Sequence, residues 1–194
     1  MTVRETIEEY HNNFKTLLGS FQTTDKKNNK LKFFKVIEKV SAIIIEQSIL
    51  GKKIMLIGNG GSAAISSHMA IDFWKNGGIR AFTYNDGSLL TCIGNDFGYK
   101  HIFEKPIEMF ADKGDILFAI SSSGGSENIL RGVSAARNKG CSVITLSGFK
   151  NDNPLRSLGD FNFYVPSSEY GPVEVAHQYI CHCILDIIVK SKNG

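Results

Sequence analysis

The sequence predicts an α/β fold, a doubly wound parallel sheet preceded by two N-terminal helices. Short apolar runs alternate with longer segments in which apolar residues recur every three or four positions. Strands and helices that alternate in this way are typical of a parallel sheet with helices on both faces. Glycine and serine are concentrated at two of the strand-to-helix junctions. Because ligands bind beyond the carboxyl ends of the strands in such sheets, we expect the site there.

Two amphipathic patterns open the chain. Residues 3–20 carry apolar side chains at helical spacing, a charged, Asn-rich break covers residues 26–30, and a second pattern with a broader apolar stripe covers residues 31–50. The second helix is expected to end at Gly51, since glycine commonly follows a helix. These stripes must be buried against the rest of the domain or against another subunit, so the sequence favours a homo-oligomer.

The rest of the chain alternates strands with helices. We expect strands at 54–57, 79–84, 115–120, 142–146 and 161–165. Helices are expected after the first glycine-rich turn to residue 75, in part of 99–110, and at 127–139 and 171–190. The expected organisation is one domain over residues 1–194, with a helical pair at 1–50 and an α/β core at 51–194.

Composition excludes several classes of protein. The 194 residues are 42% hydrophobic and 21% charged, and 22 basic against 19 acidic residues give a net charge of +3. This balance does not favour a nucleic-acid partner. No apolar run approaches the roughly 18 residues that span a bilayer, and the N-terminus lacks a signal-like apolar segment, so a cytoplasmic protein without a membrane partner is expected. The four cysteines are expected to be reduced and buried.

The first glycine-rich turn follows the apolar run 54–57. Glycine permits positive φ and close approach of a ligand to Gly58, Asn59, Gly60 and Gly61, and Ser62 is placed to cap the following helix. The free N–H groups of that helix start suit a phosphate or sugar oxygens. A plain turn between a strand and a helix explains the same residues. Neither the Walker pattern nor G-x-G-x-x-G fits.

The helix after this turn carries His68 and Asp72, four residues apart and therefore on one face. An imidazole and a carboxylate so placed can bind a metal or transfer a proton. An ordinary contact on the helix surface is the alternative.

The second junction is richer in hydroxyl groups. Its serines, with the main-chain N–H groups of the next helix, can surround a phosphate: Ser121, Ser122, Ser123 and Ser126. A phosphomonoester suits this loop better than a dinucleotide. A polar loop that needs only Ser126 as a cap is the alternative.

The closing helix carries a polar stripe. Glu174, Gln178 and His182 recur every four residues, and His177 lies three beyond Glu174. The stripe presents a carboxylate, an amide and an imidazole, or it is simply the solvent-facing side of the helix. His177 and His182 are five residues apart and lie on different faces.

Taken together, these segments resemble the sugar isomerase (SIS) domain family, and within it the phosphoheptose isomerases. The matching stretches are GNGGSAA (58–64), the helix with His68 and Asp72, GNDFG (94–98), ISSSGGSENIL (120–130), AARNKG (135–140), VITLSG (143–148) and VEVAHQYICH (173–182). The resemblance implies a flavodoxin-like core and a homotetramer with active sites between subunits. It also implies isomerisation of D-sedoheptulose 7-phosphate to D-glycero-D-manno-heptose 7-phosphate through an enediol(ate), for lipopolysaccharide or capsule.

The resemblance also implies roles for individual residues. Contacts with the sugar phosphate fall on Asn59, Gly60, Gly61, Ser62, Asp72, Asn95, Asp96, Ser121, Ser122, Ser123, Ser126 and Glu174. Zinc ligands fall on His68, Asp72, Glu174 and His182, and Asp72 and His182 are also the catalytic acid/base pair. Glu174 and His182 lie about 12 Å apart on one straight helix. Both therefore bind one zinc only if the helix breaks near Pro172 or another subunit contributes.

Two differences from the family pattern leave other functions open. Asp72 stands where the family typically has a longer Glu, and Glu174 where it typically has Gln. One alternative is an isomerase for another sugar phosphate. The other is a non-catalytic SIS protein that binds a phosphosugar and regulates another process.

Overall fold

A seven-stranded sheet forms the centre of the fold in a computed structural model that describes residues 1–193. The strands are β1 Gln22–Asp25, β2 Lys30–Leu31, β3 Ile54–Gly58, β4 Ala81–Thr83, β5 Ile116–Ser121, β6 Ser142–Ser147 and β7 Phe161–Tyr164. Their order is β2-β1-β7-β6-β5-β3-β4, and the last five strands in this order are parallel. The predicted doubly wound parallel sheet is confirmed for these strands.

Seven α-helices surround the sheet in the described residues. They are α1 Val3–Leu18, α2 Phe33–Ile49, α3 Gly61–Lys75, α4 Gly87–Asp96, α5 Glu104–Phe110, α6 Glu127–Asn138 and α7 Tyr170–Asn193. Short 3₁₀ turns occupy Tyr99–His101 and Pro154–Ser157. None of the described helices is both long and apolar enough to cross a membrane.

Both faces of the sheet are buried. In β3, Ile54 and Leu56 join the core on the side of α2, α3 and α7, whereas Met55 and Ile57 join the core on the side of α5 and α6. All five residues of β3 are buried, as its continuous apolar run predicts.

An antiparallel hairpin at the sheet edge was not predicted. β1 pairs with β2 and with β7, both antiparallel, so the sheet is mixed. Residues 26–29 of the predicted break at 26–30 form the turn of this hairpin, where Asn28 has a φ of 60°, and Lys30 begins β2. The hairpin joins the N-terminal segment to the core sheet, since β1 is the neighbour of β7.

The cysteines differ in burial. All four are free, and Cys141 and Cys181 are buried as expected. Cys183 is half-buried and Cys92 is exposed, so the expectation of four buried thiols was wrong for these two.

Candidate active site

A polar cavity of about 250 Å³ lies beyond the carboxyl ends of β3 and β5. It is lined by Asn59, Gly60, Gly61, Ser62, Ser121, Ser122, Ser123, Ser126, Tyr170 and Glu174. We call it the phosphate cavity. The two loops that the sequence singled out therefore meet at one place, between the N-termini of α3 and α6. Two helix N-termini with free N–H groups favour an anion.

The first loop needs glycine at one position above all. Gly60 has a φ of 53° and is the residue that precedes the first turn of α3. A non-glycine residue adopts this conformation only with strain, so Gly60 sets the path by which the backbone reaches the cavity. Ser62 does not cap the helix, contrary to expectation. It lies inside the first turn, is buried, and its carbonyl accepts a hydrogen bond from Ser66 Oγ at 2.8 Å.

The serine loop surrounds the other side of the phosphate cavity. Ser121 Oγ accepts a hydrogen bond from Gly124 N at 3.2 Å, whereas Ser122 Oγ is buried without a partner among the described residues. Ser126 precedes α6, but its side chain makes no capping hydrogen bond. The Ser126 hydroxyl group is therefore not used as a cap, which disfavours the alternative of a loop that needs only Ser126 as a cap.

Glu174 lies in the phosphate cavity. A Cβ atom at Gly61 would overlap the Glu174 carboxylate, so the first residue of α3 must be glycine for this carboxylate to lie against it. α7 is one continuous helix over Tyr170–Asn193, so Glu174 is not brought to His182. Tyr170, the first residue of α7, also lines the cavity; it was not anticipated, because no pattern marked the residues before the helix.

A second cluster lies further along the same two helices. His68 Nε2 lies 3.2 Å from His182 Nε2 and 3.3 Å from Asp72 Oδ2. His182 Nδ1 lies 4.0 Å from Asp72 Oδ2. One donor atom from each of the three residues fits within a span of 4.8 Å. Two imidazoles and a carboxylate at this spacing can bind a metal ion together or exchange a proton.

The predicted sugar contacts Asn95 and Asp96 are not brought to the phosphate cavity within one chain. They form the exposed last turn of α4, where Asn95 Nδ2 donates to Asp96 Oδ1 at 2.8 Å. Tyr99, just beyond them, does reach the first loop, because its hydroxyl donates to Asn59 Oδ1 at 3.2 Å.

His177 is not on a solvent-facing stripe. It is completely buried, and neither ring nitrogen has a hydrogen-bond partner among the described residues. Burial lowers the pKa of His177 to about 4, so the imidazole is neutral at pH 7. It lies one turn beyond Glu174 but faces the sheet, and it lines neither part of the site.

Comparison with known proteins identifies the family of this chain. The family model of the SIS domain matches residues 9–148, which is more than half of the chain. The chain belongs to the SIS-domain family.

Curated relatives of this SIS-domain protein are phosphoheptose isomerases. That of Clostridium acetobutylicum is 37% identical over 91% of this chain and 92% of the relative. That of Nitratiruptor is 38% identical over 91% of this chain and 96% of the relative. Each of these matches covers a larger share of the chain than residues 9–148.

A solved structure has the same fold. The phosphoheptose isomerase GmhA of Neisseria gonorrhoeae superposes with a TM-score of 0.84 at 27% identity, over 96% of this chain and 99% of that chain. The α/β fold of this SIS-domain protein is therefore shared over nearly its whole length.

Proposed function

We propose that this protein isomerises D-sedoheptulose 7-phosphate to D-glycero-D-manno-heptose 7-phosphate. One observation carries the proposal: the phosphate cavity and the His68–Asp72–His182 cluster lie on the same two helices. The first turn of α3 and Glu174 of α7 line the cavity. His68 and Asp72 of α3 and His182 of α7 form the cluster. The names of the curated relatives support the same substrate class.

The spacing of the two parts suits an extended heptose phosphate. His68 follows Gly61 by seven residues, about 10 Å along the helix axis. An extended chain advances about 1.2 Å per bond, so the eight bonds from C1 to phosphorus reach about 10 Å. A phosphate in the serine loop would then leave C1 and C2 of the open-chain sugar near the cluster.

The chemistry needs one group for carbon-bound protons and one for oxygen-bound protons. We assign the Asp72 carboxylate to take a proton from C1 and return it to C2. His182 donates a proton to O2 and accepts one from O1, which leaves an enediol(ate) between the two transfers. Substrate ketose and product aldose have the same atoms, so no other reactant is required.

Zinc suits the cluster. Two ligands each about 2.0–2.1 Å from a tetrahedral zinc lie about 3.3 Å apart, close to the separations of His68 Nε2 from its two neighbours. His68, Asp72 and His182 would hold the ion, which when bound polarises the sugar carbonyl. Glu174 belongs to the phosphate cavity in this proposal and serves as a substrate contact.

The proposed assembly is a homotetramer with active sites between subunits. Apolar side chains are exposed on the two helices that carry the cluster, with Ile71 and Trp74 on α3 and Val175 and Tyr179 on α7. The N-terminal part of the predicted stripe of α1 is uncovered as well, because Val3 is 79% and Ile7 is 63% exposed. Large apolar areas of this kind mark protein interfaces. Asn95 and Asp96 would contact the sugar from such an interface.

We place the reaction in the cytoplasm, where the product supplies heptose for lipopolysaccharide or capsule. The name phosphoheptose isomerase supports a heptose phosphate as the substrate, and the location and the pathway are part of the proposal.

The test is turnover of sedoheptulose 7-phosphate by the purified protein, with and without a chelator, with the aldose product measured. Turnover that a chelator abolishes and zinc restores supports both the reaction and the metal. Turnover that is insensitive to the chelator supports proton transfer by Asp72 and His182 alone. Binding of the phosphosugar without turnover contradicts the proposal and favours a regulatory protein or a different sugar.

A further inference from the structure

The side chain of Asn59 lies where two cavities meet. It lines the phosphate cavity and also a neighbouring cavity of about 290 Å³, which Ser67, Asn85 and Tyr99 line as well. A ligand in either cavity meets the Asn59 amide. Whether that ligand meets a donor or an acceptor depends on which end of the amide is already occupied.

The orientation of the neighbouring amide, Asn128, follows from the backbone. Asn128 is buried in the first turn of α6, and its Oδ1 accepts a hydrogen bond at 3.0 Å from Ile129 N, which also donates to Ser126 O at 3.0 Å. A backbone N–H can only donate. The atom that it meets must therefore be the oxygen of the Asn128 amide, and the other atom must be its NH₂ group.

The orientation of Asn59 follows in turn. Asn128 Nδ2 donates to Asn59 Oδ1 at 2.8 Å, and Asn59 Nδ2 donates to Asn128 Oδ1 at 2.9 Å. The Tyr99 hydroxyl donates a further hydrogen bond to Asn59 Oδ1 at 3.2 Å. Both lone pairs of Asn59 Oδ1 are then used, whereas one of the two hydrogens on Nδ2 remains.

We infer that Asn59 contacts the sugar phosphate as a hydrogen-bond donor only, and that Asn128 is the positioning residue that makes it so. The inference rests on the proposed sugar-phosphate substrate. Asn128 lines neither cavity, so it acts through Asn59 and not on the ligand. A single N–H donor suits an oxygen that carries partial negative charge, as the oxygens of an enediolate do.

The experiment must separate positioning from simple stability, because the amide pair also links the first loop to α6. The variants are Asn128→Asp, Asn59→Ala and the double variant. Asp has nearly the shape of Asn but cannot donate to Asn59 Oδ1, so Asn59 loses the partner that fixes its orientation. Asn138→Asp is the matched control, since it introduces the same charge at an exposed position of α6.

We expect Asn128→Asp to lower kcat/KM by about 10- to 100-fold in the otherwise unchanged protein. In the Asn59→Ala background the same change is expected to lower it by less than about 2-fold, because the residue that it positions is gone. Asn138→Asp leaves kcat/KM unchanged. An equal loss in both backgrounds overturns the inference, since a general effect on folding does not depend on Asn59.

A second variant covers the case in which Asn128→Asp does not fold. Tyr99→Phe removes one hydroxyl group from an exposed residue and frees one lone pair of Asn59 Oδ1. A loss of kcat/KM that disappears in the Asn59→Ala background supports the inference. A loss of the same size in both backgrounds contradicts it.

A binding measurement keeps this test independent of turnover. Calorimetry gives the ratio of the affinities for sedoheptulose 7-phosphate and inorganic phosphate in each variant. The ratio is expected to fall in Asn128→Asp and to be unaffected by that change in the Asn59→Ala background. If the unchanged protein binds the sugar phosphate without converting it, the proposed reaction fails and this ratio still decides the inference. If it does not bind the sugar phosphate, both fail.

Discussion

The Nε2 atoms of His68 and His182 lie 3.2 Å apart although the two residues are 114 positions apart in the chain. Their rings are tilted by 60° with centroids 5.2 Å apart. A neutral imidazole has one donor and one acceptor nitrogen, so two Nε2 atoms at this distance either share a proton or bind a common ion. Asp72 adds a carboxylate to this pair from one side.

The cluster predicts that Asp72→Asn and His182→Ala each lower turnover by at least about 100-fold, because each removes a proton-transfer group. Asp186→Asn is the matched control on the exposed side of α7. Steady-state turnover checks this expectation, and the shift of the unfolding temperature by inorganic phosphate checks that the phosphate cavity is intact. Normal turnover in both cluster variants would contradict the assigned roles.

Gly61→Ala is expected to weaken substrate binding and leave stability nearly unchanged. The added Cβ would overlap the Glu174 carboxylate, which is the flexible end of a side chain and can move away. The free energy of unfolding should therefore change by less than about 1 kcal/mol, whereas KM should rise several-fold. Gly87→Ala is the control, because no atom lies within 4 Å of a Cβ built there. An unchanged KM for Gly61→Ala would exclude Glu174 as a substrate contact.

Substitution of the two adjacent glycines of the serine loop should affect stability to very different extents. Gly124 has a φ of 62°, and a Cβ there would overlap the Asn153 side chain. That side chain is fixed, since Asn153 Nδ2 donates to Gly148 O at 3.0 Å and Oδ1 accepts from Arg156 N at 3.1 Å. Gly124→Ala should lower the free energy of unfolding by about 2–4 kcal/mol.

Gly125→Ala serves as the control for this pair. It has open space around its Cβ position and should change the free energy of unfolding by less than about 0.5 kcal/mol. Denaturant unfolding measures the free energy of unfolding of both variants. The increase in that free energy when inorganic phosphate is added shows whether the phosphate cavity of each variant still binds phosphate. Equal effects of the two substitutions would show that the Asn153 contact does not shape the loop.

Local sequence patterns predicted those strands and helices whose side-chain spacing alone reveals which faces are buried. The run Ile54–Ile57 predicted a strand buried on both faces because its side chains alternate between two cores. The hairpin β1–β2 was not predicted, since its first strand is short and polar. It is held by pairing with β7, a partner more than a hundred residues away, and strand preference depends on such context.

The same distinction applies to the site. Helical spacing was enough to place His68 and Asp72 on one face, and strand ends were enough to bring the two loops together. The link from Asn59 to Asn128 and Tyr99 was not predicted, because it joins three separate segments through side chains alone. His177 was assigned to the polar stripe, whereas a shift of three residues from Glu174 turns it toward the sheet.

The exposed N-terminal part of the apolar stripe of α1 predicts that Ile7→Glu reduces the number of subunits. Burying a charge at an apolar interface without a partner is unfavourable. The Ile7→Glu assembly should therefore dissociate at a higher protein concentration than the assembly of the unchanged protein. Asn12→Glu is the control, because it adds the same charge to α1 away from the stripe. Light scattering coupled to size-exclusion chromatography measures the mass of each. A monomeric unchanged protein would contradict the proposed assembly.

The buried imidazole of His177 predicts how stability depends on pH. The pKa of His177 is about 4 in the folded protein, against about 6.5 for an unperturbed histidine, because burial disfavours the charged form. Between these values the unfolded chain binds a proton that the folded chain does not. The free energy of unfolding should therefore fall as the pH falls from about 6.5 to about 4, by up to about 1.4 kcal/mol per pH unit from this group.

Denaturant unfolding at pH 7, 6 and 5 tests this dependence on His177. His177→Gln removes the titrating group, so its free energy of unfolding should fall less steeply over this range than that of the unchanged protein. All other titrating groups are the same in these proteins, so the difference in slope isolates His177. Equal slopes in the unchanged protein and in His177→Gln would mean that the imidazole binds a proton as readily in the folded state as in the unfolded chain, and that the space around it admits water.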